Sequence, residues 1–225
     1  LEPVAHIGFD TMREPSFPFT EDVQPYDADR LVAAIEVEDE DCAVSLLRGG
    51  LAAGLGFSDF EEPLTRAALA HYAAFGHSLI YVAKAGELIA CLGPSAQESV
   101  LLALVRMVIY ARREDLIPEF RAYGDALSAW DGAGAAPTTY RDYIGKSVRQ
   151  VLNRALDSSA DPAALYDALL GANCWNMLHF DLPQQDRVSG AIADNVSWLD
   201  FTHGLTFANA VRVQCTKFPD LWPAG

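Results

Sequence analysis

Ala96-Gln-Glu-Ser-Val-Leu-Leu-Ala-Leu-Val-Arg-Met-Val-Ile-Tyr-Ala-Arg112 is the stretch that decides the architecture. Between Val100 and Ala111 its single charged side chain is Arg106. A helix that is apolar on nearly every face gains nothing from water on any side, so it belongs in the middle of a bundle. It falls well short of the ~20 apolar residues that a membrane span needs, which makes it a core helix rather than a membrane anchor.

The punctuation on both sides is helical. Upstream, His77 to Leu92 reads as a helix that stops at Gly93-Pro94. Before it, Ser58-Asp59-Phe60-Glu61 has the spacing of a capping box and opens a helix running to Phe75, where Gly76 breaks it. Val44, Leu47 and Leu51 fall at i, i+3, i+7 in a helix over Glu40 to Ala53. Leu31, Val32 and Ile35 follow Asp27 and Asp29, either of which can cap. Downstream, helices are expected over Asp115 to Trp130, Thr139 to Leu156, Pro162 to His179, Asp186 to Asp194 and Trp198 to Lys217. No run of alternating apolar and polar residues longer than about four competes with this reading. The expected fold is all-α, a single bundle-like domain of nine or ten helices.

Residues 1–26 hold Pro3, Pro15, Pro18 and Pro25 among aromatics, and read as an extended lead-in or the remnant of a linker. The helical domain is expected over 27–225. Residues 131–137 are the clearest loop, and both sides of it have the same helical character.

The chain has 225 residues, enough to bury a substantial core. Its 31 acidic residues outweigh 16 basic ones, for a net charge of −15. Such a surface repels a phosphate backbone, which excludes nucleic-acid binding as the first reading. The four cysteines, Cys42, Cys91, Cys174 and Cys215, are far apart and form no C-x-x-C pair. Reduced thiols are expected, not a disulfide framework or a thiolate zinc site. The composition reads as a soluble, cytoplasmic protein.

Walker, dinucleotide and nucleophile-elbow motifs are missing, as are H-E-x-x-H and the paired E-x-x-H elements of di-iron bundles. Histidine is what remains: His6, His71, His77, His179 and His203. Neutral imidazole is the commonest side-chain ligand for iron, zinc and copper, and helices of a bundle can converge on one ion. A lone histidine on an apolar helix is also a frequent hydrogen-bonded core residue, and His179 is placed to interact with a helix C-terminus. His77, Tyr81 and Lys84 share one stripe of their helix. His203 and Lys217, fourteen residues apart in the last helix, return to nearly the same face. Thr202, Thr206 and Asn209 form a polar stripe beside His203, suited to the wall of a site, to the support of a ligand or to a network between helices.

Thr202-His-Gly-Leu-Thr-Phe-Ala-Asn-Ala-Val-Arg212 resembles the Thr-His-x-Leu-Thr-x-Ala-x-Ala-Val-Arg signature of the questin oxidase-like family. His77 to Ala85 resembles that family's His-Pro-x-Ile-His-x-Gly-Tyr-Ala segment, with Ser78 in place of the proline and Tyr81 in place of the second histidine. The two strings cover about a tenth of the chain. Similar helical regions are attached to Rieske-type modules in bacteria, but this chain has no Rieske C-x-H pair. The resemblance implies a metal-dependent oxygenase, with non-haem Fe(II), acting on an aromatic or polyketide-like small molecule, and it implicates His77 and His203. Further metal ligands on this reading are His71, His179 and Lys217, with Lys217 or Lys84 offering an oxygen ligand if carboxylated. Tyr81 is then the catalytic candidate, and Thr206 and Asn209 position substrate or ligand. The alternative is a non-catalytic helical module that docks a Rieske-type electron-transfer partner or another protein. A metal-free pocket for an apolar small molecule is the third reading.

Overall fold

A computed structural model describes residues 18–71, 75–111, 118–190 and 195–225. Among the described residues the fold is all-helical, with nine α-helices and no strands. They are α1 (Ala28–Glu36), α2 (Glu40–Ala52), α3 (Phe57–Ala70), α4 (His77–Leu92), α5 (Gln97–Ile109), α6 (Ala122–Ala129), α7 (Val148–Asp157), α8 (Pro162–Leu178) and α9 (Trp198–Lys217).

Short polar side chains start these helices. Asp27, Asp39 and Asp161 accept from the backbone N–H groups of Arg30, Cys42 and Ala164 at 2.8, 3.0 and 3.0 Å. Each such cap is worth ~1 kcal/mol, because it satisfies a donor that the helix leaves without a partner. In α9 the Asp200 carboxylate reaches back to the Ser197 N–H at 2.7 Å.

The centre of the larger core is α5, which packs against α1, α2, α3 and α4. Leu101, Val105 and Val108 on it are buried, together with Leu31, Leu47, Phe60, Leu64 and Leu79 from its neighbours. Burying each side chain of this size contributes roughly 1.5–3 kcal/mol. The centrality read from Val100–Ala111 is correct, but the helix is not enclosed. Ala103 and Tyr110 face outward, and Arg106 holds Glu40 through two bonds of 2.6 and 2.8 Å.

A smaller core joins Tyr143 to Leu165, Ala168 and Ala172 of α8. The long helix α9 connects the two, packing against α4 on one side and α8 on the other. Its buried Gln214 accepts from Thr65 at 3.2 Å and donates to Glu61 at 3.1 Å.

Several expected elements differ. The helix opened by Ser58 begins at Phe57 instead, since Asp59 folds back onto the Gly56 N–H at 2.8 Å. It ends at Ala70, short of Phe75. The single helix expected over Thr139 to Leu156 is a 3₁₀ turn at Tyr140–Asp142 and then α7. Asp142 closes that turn onto the Thr139 N–H, Gly145 takes a left-handed φ of 68°, and Ser147 opens a fresh capping box. Residues 186–190 are not helical, because the Asn195 side chain both donates to and accepts from the Gly190 backbone. The rest of that expected helix, residues 191–194, lies outside the described residues. So do residues 112–117 of the helix expected from Asp115, of which α6 is the described part.

Residues 131–137 form the expected loop. Gly134 and Ala136 are tied to the turn between α7 and α8, with Ala136 N–H on the Asp157 carbonyl at 2.8 Å and Gly134 N–H on Ser159 Oγ at 3.0 Å. Residues 1–17 of the lead-in lie outside the described residues. The remainder packs on the domain: Tyr26 meets Phe60 edge to face at 5.0 Å, and the Arg106 guanidinium sits 3.6 Å from the centre of the Phe19 ring.

Candidate functional site

One turn of chain brings the implicated histidines together. Phe75 and Gly76 both take left-handed backbone angles, φ 62° and 72°. That conformation is costly for a bulky side chain, so the surrounding packing must hold it. The turn starts α4 at His77 and delivers it to the first half of α9. The His77 and His203 rings meet edge to face with centroids 5.0 Å apart. Phe75 covers His203 at 4.6 Å, and Tyr81 stacks on His77 at 5.4 Å with the planes 3° from parallel. His203 Nδ1–H donates to the Leu199 carbonyl at 2.8 Å. A carbonyl can only accept, so a proton sits on Nδ1, and in the neutral ring the lone pair lies on Nε2.

The other candidates are elsewhere. His71 caps the end of α3, is buried, and donates from Nε2 to Glu36 at 2.7 Å. His179 is exposed at the end of α8, where it stacks on Trp175 at 3.9 Å and donates to the Trp175 carbonyl, as a helix C-terminal histidine does. Lys217 is paired with the buried Glu61 at 2.6 Å. It lies fourteen residues from His203, which at ~1.5 Å per residue places them about 21 Å apart along α9. Thr206 and Asn209 are exposed. Thr202 and Thr206 donate to the Leu199 and His203 carbonyls of their own helix, while Asn209 accepts from Arg212. The polar stripe is thus a solvent face, satisfied by bonds within the helix.

Of the five proposed ligands, the structure brings His77 and His203 together. Among the described residues no group of three or more His, Cys, Asp or Glu side chains could hold a metal ion. The two-histidine, one-carboxylate set of non-haem Fe(II) oxygenases is therefore not completed among them. Two imidazoles beside a phenol ring do not by themselves fit that centre.

The sequence reading missed an apolar cavity of about 280 Å³ on the other flank of α9. Its walls come from α6, α7, α8, α9 and the C-terminal segment, with Tyr123, Trp130, Tyr166, Phe207 and Trp222 as the large aromatics. Tyr166 and Trp222 meet edge to face at 5.7 Å. Both tyrosine hydroxyls in the walls are committed to backbone: Tyr123 donates to the Ala224 carbonyl and Tyr166 to the Ala208 carbonyl, each at 2.9 Å. Burial pushes the Tyr166 phenol upward, which keeps it neutral. The signal that could have found this cavity is the spread of aromatics over 123–130, 166 and 222, but nothing in their spacing says that they meet. His77 and His203 are not among the walls. Tyr81 instead lines an open apolar groove between α4 and α5, with Leu88 and Met107.

No helix of the described residues is long and apolar enough to cross a membrane. All four cysteines are free, with Cys215 buried and Cys91 exposed. Comparison with protein-family models, with curated proteins and with solved structures finds no match to this chain.

Proposed function

We propose that this protein binds a flat, apolar, aromatic small molecule of polyketide-like character in the cavity between α6, α7, α8 and α9. The observation that carries the reading is the chemistry of the walls. They are aliphatic and aromatic, and the tyrosine hydroxyls that face the region are already bonded to carbonyls. Ligand sites in proteins are concave and mostly apolar, and a cavity near the lower end of their usual size suits two or three fused rings. Apolar area removed from water then drives binding.

Naphthol is a suitable probe, because Trp130 and Trp222 in the walls report its arrival by fluorescence. Saturable quenching and a rise in melting temperature with probe concentration are expected. Ala126→Phe, which fills the cavity from α6, should abolish both. Quenching that persists unchanged in that variant would place the probe elsewhere and defeat the reading.

Metal-dependent oxidation of an aromatic molecule at the paired histidines, outside the cavity, is the second reading; the meeting of His77 and His203 and the resemblance to questin oxidase-like proteins support it, and it needs a third ligand beyond these two imidazoles. Its test is uptake of Fe(II) under anaerobic conditions by the native protein and by His203→Ala. One equivalent in the first and none in the second supports it. No uptake by the native protein removes it and leaves the binding reading standing.

A further inference from the structure

Phe207 belongs to both halves of the candidate site. Its ring forms part of the cavity wall. The same side chain lies against Gly76: a Cβ placed there would fall 2.3 Å from Phe207 Cδ2 and 2.5 Å from Cγ. Gly76 is the residue before His77 and the N-cap of α4. On α9, His203 precedes Phe207 by one helical turn, and residues spaced i, i+4 lie on one face, one above the other. Phe207 therefore stands where the cavity ends and the turn carrying Phe75, Gly76 and His77 begins.

We propose that Phe207 is a specificity-determining residue, the inner end of the cavity, which fixes how many fused rings the protein accepts and keeps the bound molecule from the His203 imidazole. The proposal rests on the small-molecule reading of the cavity. The ligand class follows from what lies on each side of the ring. The cavity side is mostly hydrocarbon, and both of its tyrosine hydroxyls are committed to carbonyls. The far side holds His203, whose Nδ1–H is taken by Leu199, which leaves Nε2 as the acceptor of the neutral ring. A fused aromatic phenol that passed the position of Phe207 would leave its rings in the cavity and donate its hydroxyl to that nitrogen. Removing the benzyl group opens that path; leucine opens it in part.

The probes are naphthol, with two rings, and anthrol, with three. Affinities are read from tryptophan quenching for the native protein, Phe207→Leu and Phe207→Ala, with circular dichroism confirming that each is folded. A pocket that gains or loses a group of this size discriminates by about tenfold or more. The affinity of anthrol relative to naphthol should therefore rise about tenfold in Phe207→Ala and by less in Phe207→Leu. Anthrol should also shift the His203 ring resonances in the alanine variant and leave them unmoved in the native protein. Should Phe207→Ala not fold, the leucine variant carries the same two readouts. An unchanged ratio in a folded variant that still binds both probes overturns the role of Phe207. Failure of both probes to bind the native protein refutes the cavity reading instead, and this inference with it.

Discussion

Gly76→Ala tests the contact on which the geometry of the site depends. The backbone angle at Gly76 is φ 72°, a left-handed conformation that costs an L-residue roughly 1–2 kcal/mol. Space is the larger obstacle. The new methyl carbon would lie 2.3, 2.5 and 2.9 Å from Cδ2, Cγ and Cβ of Phe207, where carbon atoms ordinarily rest about 3.5–4.0 Å apart. Either the Phe207 ring moves into the cavity or the start of α4 moves off α9. Forced overpacking of this kind costs typically ~1–3 kcal/mol. The expected total is about 2–5 kcal/mol, read as a lower urea midpoint at unchanged slope. Two glycines in the same chain isolate the backbone part. Gly54 and Gly145 have φ 87° and 68° and nothing within 4 Å of a Cβ, so alanine at either should cost only the dihedral penalty of about 1–2 kcal/mol. In a Phe207→Ala background the excess at Gly76 should vanish, which a double-mutant cycle reads as a coupling between the two positions. A Gly76→Ala cost no greater than that at Gly54 and Gly145 would show that Phe207 does not sit on Gly76.

Lys217→Ala should cost about 1–3 kcal/mol despite the lysine's exposure, because it removes a partner from the buried Glu61 carboxylate; most of that loss should disappear when Glu61→Gln is made as well, in the same denaturation assay. Alkylation at neutral pH followed by peptide mass spectrometry should label the exposed Cys91 and spare Cys215 until the protein is unfolded, since burial pushes the Cys215 thiol up to about 11. Burial, and then the Asp59 and Glu62 charges, raise the Tyr26 phenol from 10.0 to about 12. The folded state holds this proton more tightly than the unfolded chain does, so stability falls as pH rises from about 10 towards 12, and Tyr26→Phe should flatten that decline in alkaline denaturation.

The helical class was legible because the pattern of apolar residues is set by local geometry. His77–Leu92 and Trp198–Lys217 have in the structure the bounds that the sequence suggests, each starting after a glycine or a capping serine. Misread boundaries trace to side chains that compete with the helix. Asp142 and Asn195 bind nearby backbone and close turns where periodicity alone continues a helix. The meeting of His77 and His203 was suggested by resemblance, and their spacing in the chain does not encode it. Thr206 and Asn209 looked like a site wall because an isolated polar stripe on an apolar helix resembles one; the stripe faces water instead. A pocket for an apolar molecule was among the readings, but its place was not legible. Its walls belong to four helices and a terminal segment, and only tertiary packing brings them together.

The division into a large core around α5 and a small one around Tyr143 and α8 has a consequence for motion. Segments with fewer buried apolar contacts open at lower free energy than the global transition. The cavity is walled largely by α6, α7 and α8, on the side of the small core, so it lies in the part of the molecule that opens first. Amide hydrogens of α7 and α8 should exchange well before those of α5. A molecule held in the cavity would then be seen as slowed exchange confined to that half, with the larger core keeping its own time.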